Sequence, residues 1–165
     1  VLIGSSYLIR QQAQETAIRS IENVATGFSV IDIKGDRLYN DSLSNCIEHI
    51  DILLTGVSGS PPIDMDYVIL TITNDNYTKS LVYGAIANAT HFNVTVLRDP
   101  DGGFVPNHVL SSGTLLKLHI NLNALNMSAE PQDLFVIKLI PKHGQPLEES
   151  FHIPGTFVGR YVQLY

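Results

Sequence analysis

The spacing of the apolar residues changes once along this chain, at Gly27, and that change limits the folds available to it. Residues 1–26 contain no proline and one glycine, and their apolar residues recur three and four positions apart. This spacing is typical of an α-helix, and Gly27 suits a left-handed C-terminal cap. After Gly27 the apolar residues recur at every second position, as in β-strands. We predict an N-terminal α-helix over residues 1–26 and a β domain over residues 27–165.

About nine short segments of the β domain alternate apolar and polar side chains. Between many of them lie turn sequences rich in Gly, Pro, Asn and Asp, such as residues 56–62, 74–76 and 99–103. These turns leave no room for the crossover helices of a doubly wound parallel sheet. The pattern predicts a single antiparallel β-sandwich or barrel, without internal repeats or linkers. The predicted strands lie at residues 28–33, 47–54, 67–72, 80–86, 91–96, 115–120, 135–140, 151–153 and 158–164.

The first nine residues are apolar on nearly every side of the predicted helix. Such a helix needs a fully apolar environment, and a β domain of this size would cover one of its faces but hardly all of them. The sequence also starts without methionine, within an apolar run, which we interpret as a chain whose beginning was processed or cut away. No run approaches ~18 apolar residues, so the chain as given is not expected to span a membrane.

Charge and composition exclude two classes of protein. The net charge is −6, and ten Lys plus Arg without a basic run argue against nucleic-acid binding. An apolar content of 44% argues against intrinsic disorder. Charged residues make up only 16% of the chain, below the ~25% usual for soluble domains, so we expect something else to cover part of the surface. The single cysteine, Cys46, excludes an intrachain disulfide.

The most specific local signal is the tripeptide Asn-x-Ser/Thr, which accepts N-linked glycans in exported proteins. The chain has five copies, more than its 11 Asn and 23 Ser plus Thr would produce by chance. Asn93 also falls on the polar side of a predicted strand, opposite Phe92 and Val94. The alternative is that the chain is a β protein rich in Asn and Thr, in which the tripeptide occurs because of this composition and carries no glycan. The candidate glycosylation sites are Asn40, Asn76, Asn88, Asn93 and Asn126.

No catalytic arrangement stands out in the sequence. Residues 56–60, Gly-Val-Ser-Gly-Ser, lack the final glycine of a nucleophile elbow and lie between predicted strands. Six histidines are scattered without metal-binding spacing, and we interpret them as solvated or hydrogen-bonded side chains. We therefore expect that the protein is not an enzyme.

One loop has the chemistry of a cation site. In residues 99–103, Asp-Pro-Asp-Gly-Gly, Asp99 and Asp101 place two carboxylates before two glycines. Ca²⁺ takes six to eight oxygen ligands from carboxylates, carbonyls and water. The loop lacks the final bidentate Glu of the twelve-residue calcium motif, and Asp-Gly at a hairpin tip is ordinarily a turn. The residues of this loop fit both interpretations, a turn and a cation site.

Several stretches, in their order along the chain, resemble the archaellins, the archaeal flagellins. The apolar residues 1–8, followed by residues 12–16 and 24–30, resemble the place where the hydrophobic N-terminal helix of an archaellin enters its outer domain. Residues 133–146, with the Phe-His-Ile-Pro segment that follows, are similar to a late hairpin of that family. The loop at residues 97–103 resembles a stretch at which several archaellins bind cations. This sequence lacks the long apolar segment of the family and the leader that precedes it. The resemblance implies that both were removed or left out.

The resemblance implies a structural protein, the repeating subunit of the helical extracellular filament with which archaea swim. It implies that the N-terminal helices of many subunits bundle in the filament core, where apolar burial accumulates over every neighbour. The implied partners are further copies of the chain and N-linked glycans, with a membrane contact only before assembly. The resemblance implies that no cofactor is required, although a structural Ca²⁺ or Mg²⁺ is compatible with it. The residues implied in assembly are Val1, Leu2, Ile3, Leu8 and Ile9.

Two other classes of function remain as alternatives. The first is a membrane-tethered extracellular binding module, such as an adhesin, a surface-layer-binding protein or an accessory protein of the same motor. The second is a glycan-processing enzyme, for which the sequence offers no pair of acid and base carboxylates. Electron microscopy separates the first alternative from a filament subunit, because only the subunit forms long uniform fibres.

Overall fold

A computed structural model describes residues 27–165, so the predicted helix over residues 1–26 and its assembly residues lie outside the described part of the chain. The described residues form thirteen strands and one 3₁₀ turn, Met65–Tyr67. The strands are β1 (Phe28–Asp36), β2 (Leu38–Tyr39), β3 (Ser42–Leu43), β4 (His49–Gly56), β5 (Ile63–Asp64), β6 (Ile69–Thr73), β7 (Thr78–Tyr83), β8 (His91–Arg98), β9 (Val109–Leu110), β10 (Leu115–Asn121), β11 (Leu134–Ile140), β12 (Leu147–His152) and β13 (Tyr161–Gln163).

Nine strands form one sheet in the order β12-β11-β6-β7-β8-β10-β4-β1-β13. They correspond to the nine predicted segments, and the prediction of a mainly β domain is confirmed. Neighbouring strands are antiparallel except β7 and β8, which pair in parallel through Val82 with His91 and Tyr83 with Phe92. This pair corrects the prediction of an entirely antiparallel sheet. The parallel overlap is short because residues 84–90, which connect the two strands, are too few for a longer one.

The sheet curls so that its two halves enclose a single hydrophobic core. The two halves of the sheet face each other across a small apolar gap. It is lined by Val30 and Ile52 from β1 and β4 and by Ile137 and Leu139 from β11. Strand β10 has the alternation expected of a half-buried strand, with every second side chain fully buried. Burial of one large apolar side chain contributes ~1.5–3 kcal/mol. The inward side chains of the curled sheet thus form one hydrophobic core.

Gly27 begins the described chain in the left-handed conformation expected of a helix cap, with φ of +82°. Its carbonyl accepts a hydrogen bond from Val57 N–H at 2.9 Å. A Cβ at this position would lie 2.9 Å from Ile63 Cδ1, so the position favours glycine for its backbone angle and for the close approach. The junction between residues 1–26 and the β domain therefore lies against Ile63.

Some strand boundaries differ from the prediction. The last strand begins at Tyr161, and Val158, predicted to lie in it, is fully exposed. Strand β7 ends at Tyr83, which leaves Ile86 in an exposed turn. Four strands of two residues each, β2, β3, β5 and β9, were not predicted, because two residues are too few to show a period.

Candidate functional site

Asn76 and Asn88 lie in exposed turns that side-chain hydrogen bonds hold in shape. Between β6 and β7, Asn74 Oδ1 accepts hydrogen bonds from the backbone N–H groups of Asn76 and Tyr77, at 2.9 and 2.8 Å. Before β8, Asn88 Oδ1 accepts from the N–H of Thr90 at 2.9 Å and from its hydroxyl at 3.1 Å. Within residues 27–165, no hydrogen bond uses Nδ2 of Asn76 or Asn88. Nδ2 is the atom to which a glycan is attached, and both turns leave it accessible.

Asn40 and Asn126 lie at the end of the domain opposite Gly27. Strand β1 starts beside Gly27 and runs for nine residues, or about 30 Å. Its last residue lies at the same end of the sheet as the last residue of β10. Asn40 follows β1 in the β2–β3 turn with φ of +50°, and Asn126 follows β10 with φ of +56°. Both side chains are exposed.

Asn93 differs from the other four candidates. It lies on the outer side of β8, as the alternation predicted, but it is half-buried. Its Nδ2 donates to the backbone carbonyls of Gly84 at 3.2 Å and Ala85 at 2.8 Å. These bonds tie the β7–β8 connection to the sheet. In the folded domain, the nitrogen that would carry a glycan therefore already donates two hydrogen bonds to the backbone.

A buried carboxylate that the sequence did not single out organises the end of the domain near Asn126. Glu48 is only 5% exposed. Its Oε1 accepts a hydrogen bond from Ser44 Oγ at 2.7 Å, and its Oε2 accepts from Ser128 Oγ at 2.7 Å and from Asn123 Nδ2 at 3.2 Å. Ser128 is the hydroxyl residue of the Asn126 tripeptide. Glu48 thus fixes the loop that presents Asn126.

The ion pair between Asp36 and Arg160 ties the C-terminal strand to β1. Arg160 Nε and Nη2 donate to the two oxygens of Asp36 at 2.9 and 3.0 Å. Burial alone would raise the pKa of Asp36. The hydrogen bonds that its carboxylate accepts from Arg160 and from Leu38 N–H outweigh that effect, and the net pKa of Asp36 lies below its ordinary value of 3.8.

We expect the Asp36–Arg160 pair to make the free energy of unfolding depend on pH in the acidic range. A carboxylate whose pKa is lowered on folding stabilises the protein above its unfolded-state pKa, and this contribution is lost as the pH falls through the folded-state value. Denaturant unfolding of wild type and Asp36→Asn should differ most at neutral pH. The difference should shrink as the pH falls below about 3.8. An equal difference at pH 7 and at pH 2 would contradict this assignment.

The Asp99 loop is folded as a compact turn. Asp99 Oδ2 accepts a hydrogen bond from Phe104 N–H at 3.0 Å, and its backbone carbonyl accepts from Gly102 N–H at 3.1 Å. Asp99 Oδ1 is buried without a hydrogen-bond partner, whereas Asp101 is exposed. Within residues 27–165, no three His, Cys, Asp or Glu side chains are grouped so that they could hold a metal ion. The loop therefore offers two carboxylates at most.

Two histidines pair with carboxylates, whereas His49 Nδ1 is buried without a hydrogen-bond partner among the described residues. His119 Nδ1 lies 2.6 Å from Asp51 Oδ1, and His108 Nδ1 lies 2.9 Å from Asp66 Oδ1. His49 stacks on His119 with ring centroids 5.0 Å apart. Burial, and next the charge of a protonated His119, lower the pKa of His49. In the described part of the chain, no helix is long and apolar enough to cross a membrane.

Comparison with known proteins decides the family. A family model described as archaeal-type flagellin matches residues 1–151, nearly the whole chain. The chain belongs to the archaeal-type flagellin family. Flagellin B1 of Methanococcus voltae is 29% identical over 186 residues, which cover 99% of this chain and 84% of that protein. Flagellin B2 of Methanocaldococcus jannaschii is 26% identical and covers 96% of this chain and 80% of that protein.

Solved structures of flagellins share the fold. The crystal structure of archaeal flagellin FlaB1 from Methanocaldococcus jannaschii matches with a TM-score of 0.75 at 23% identity, over 85% of this chain and 97% of that chain. The archaeal flagellum of Methanospirillum hungatei matches with a TM-score of 0.56 at 17% identity, over 99% of this chain and 85% of that chain. At these identities the likeness shows the fold, and the family model shows the family.

Family membership confirms that this flagellin is a structural subunit of an archaeal motility filament. Members of the family form the archaellum filament on the cell surface, and the family is one of filament subunits rather than of enzymes. The filament subunit is therefore preferred over the membrane-tethered binding module and the glycan-processing enzyme.

Proposed function

We propose that this flagellin assembles through its N-terminal residues into a filament whose outer sleeve is the β domain, glycosylated at its exposed turns. The observation that carries the proposal is the hydrophobic core of the β domain, which the two halves of the curled sheet enclose. The apolar residues Val1, Leu2, Ile3, Leu8 and Ile9 then need burial elsewhere. In a filament, the same segments of neighbouring subunits supply it.

The shape of the domain supports this orientation. Residues 1–26 join the domain at Gly27, so the end of the sheet beside Gly27 faces the proposed core. Asn40 and Asn126 lie at the other end, about 30 Å away by the length of β1. A subunit held by its N-terminal residues would therefore carry these two asparagines toward the solvent, where glycans have room.

Electron microscopy of purified material tests the proposed assembly. We expect long fibres of uniform diameter that dissociate in denaturant and form again when it is removed. A truncated protein that starts at Gly27 should give no fibres, yet it should unfold cooperatively like a complete domain. Fibres formed by the truncated protein would show that the β domain alone carries the assembly and would contradict the proposal.

Glycan occupancy should follow the accessibility of Nδ2. We expect peptides that contain Asn76 or Asn88 to carry a glycan mass in protein from the native source, because Nδ2 of each lies free in an exposed turn. The peptide that contains Asn93 should be unmodified, because that Nδ2 is bonded to Gly84 and Ala85. Mass spectrometry of proteolytic peptides checks both expectations. A modified Asn93 beside unmodified Asn76 and Asn88 would contradict the link to accessibility.

We also retain the Asp99 loop as a candidate cation site. The buried, unpartnered Oδ1 of Asp99 supports it, and Asp101 adds a second carboxylate, so carbonyls and water would complete the six to eight ligands of Ca²⁺. A ligand that binds only the folded state stabilises it. Added Ca²⁺ should therefore raise the melting temperature of wild type by several degrees and leave Asp99→Asn unchanged. An equal effect of Ca²⁺ on both proteins would show that the loop is a turn only.

A further inference from the structure

A groove opens on the surface beside the junction with residues 1–26. We name it the basal groove, and its walls come from two segments, residues 61–67 and residues 141–144. Ile63 lines it and also lies against Gly27, since a Cβ on Gly27 would be 2.9 Å from Ile63 Cδ1. The walls that matter for recognition are Pro61, Pro62, Ile63, Tyr67, Pro141 and Lys142.

The basal groove combines exposed apolar surface with a positive charge. Tyr67 is 55% exposed, and Lys142 Nζ lies 4.2 Å above the centre of its ring. The apolar surface continues onto the sheet, where the exposed Ile69 pairs across strands with the exposed Val82 and with Ile140. A contiguous apolar patch of this kind, rimmed by charge, is typical of a protein interface.

The location of the groove limits what can reach it. Each subunit of the proposed filament is held by its own residues 1–26, which enter the domain at Gly27. The surface around Gly27 is then the part of the domain closest to the bundle of N-terminal segments. The basal groove opens on that surface, so the molecules nearest to it are the N-terminal segments of neighbouring subunits.

The sequence of that segment complements the groove. On the predicted helix, Glu15, Ile18 and Glu22 are spaced three and four positions apart and therefore form one stripe. The stripe places an apolar side chain between two carboxylates. The isoleucine suits the proline and tyrosine walls of the groove, and a carboxylate suits Lys142. Arg19 follows Ile18 in the sequence, and its charge is opposite to that of Asp64, which lines the groove.

We infer that the basal groove binds the Glu15–Ile18–Glu22 stripe of a neighbouring subunit, with Lys142 opposite a carboxylate of that stripe. This inference rests on the proposed assembly and adds to it a second contact between subunits. The N-terminal bundle holds the filament together, and the basal groove fixes where each β domain sits against that bundle. The contact is heterologous, since a groove on one copy meets a helix stripe on the next. Such contacts extend into an open filament when the rotation between copies does not close a ring.

Charge reversal at the groove tests the inference. Lys142→Glu should raise the lowest protein concentration at which filaments form by at least tenfold, because it places like charges in contact. The matched control is Lys79→Glu, which reverses a lysine that also lies over an exposed tyrosine, with Lys79 Nζ 5.6 Å from the ring centre of Tyr77, away from the groove. Both lysines are exposed, so both variants should melt like wild type. Assembly of Lys142→Glu at the wild-type concentration would overturn the inference.

Cross-linking distinguishes a neighbouring subunit from the same chain. In a Cys46→Ser background, His143→Cys lies in the groove, and Glu22→Cys lies on the stripe. Oxidation of filaments should give a ladder of covalent multimers in a non-reducing gel. Tyr77→Cys in place of His143→Cys should give none. Cross-links confined to single chains would mean that each chain fills its own groove, and intact filaments without cross-links would mean that the groove is empty. Either result would overturn the inference, whereas a wild type that forms no filaments would refute the assembly proposal itself.

Discussion

Filaments are expected to be lost in the variant Leu8→Asp, while the β domain still folds. Position 8 belongs to the apolar opening of the chain, which the proposed assembly buries among neighbouring subunits. A carboxylate buried there without a partner costs several kcal/mol in every subunit, and the cost repeats along the filament. Electron microscopy and sedimentation should therefore find only dispersed protein. Its thermal unfolding should match that of wild-type subunits, because side chains of the sheet strands form the core of the β domain.

The control for this variant is Val158→Asp. It introduces the same carboxylate in place of an apolar side chain, but at a position that is fully exposed on the β domain. We expect Val158→Asp filaments of normal length and abundance. Normal filaments from Leu8→Asp would refute burial of the opening residues in the filament core, and loss of filaments in both variants would point to a general effect of added negative charge.

The second large effect is expected at Glu48. The variant Glu48→Ala removes the acceptor of three side-chain hydrogen bonds and leaves the hydroxyls of Ser44 and Ser128 and the amide of Asn123 without it. Hydrogen bonds to a charged group contribute about 1.5–3 kcal/mol, and donors left unpaired add to the loss. The three donors are only partly buried, so water can bond to them in the variant and reduce the loss. We expect the free energy of unfolding to fall by about 2–4 kcal/mol in total. Denaturant unfolding of the variant measures it.

The matched control for Glu48 is Glu148→Ala. Glu148 is an exposed glutamate on strand β12, and surface changes of this kind usually stay within ~0.5 kcal/mol. Hydrogen exchange adds a local readout, since Glu48→Ala should loosen residues 121–129 more than the far end of the sheet. Equal stability of the two variants would show that the buried network does not hold that loop.

The alternation of apolar residues was enough to predict the framework of this domain. In β10, the inward Leu116, Leu118 and Ile120 are all fully buried, as the period of two required. The same reasoning placed Asn93 on the outer side of its strand. Such predictions succeed because successive side chains of a strand point to opposite faces of the sheet. When one face is buried, apolar and polar residues therefore alternate along the sequence.

The parts that were missed depend on contacts between distant segments. The donors to Glu48 include Asn123 and Ser128, which are 75 and 80 positions away, so no local pattern identifies it. The bonds that engage Asn93 arise from the parallel contact of β7 and β8, which the alternation does not indicate. The basal groove combines two segments about 80 residues apart in the sequence, which the curled sheet brings together.

Hydrogen–deuterium exchange of assembled filaments and dispersed subunits tests the central claim most directly. The claim is that neighbouring subunits bury the apolar opening of each chain. Amides of residues 1–9 should exchange slowly in filaments and fast in dispersed subunits, whereas amides of β10 should be protected equally in both. Slow exchange of residues 1–9 in dispersed, monomeric subunits would show that each chain buries its own opening residues, and this result would contradict the account.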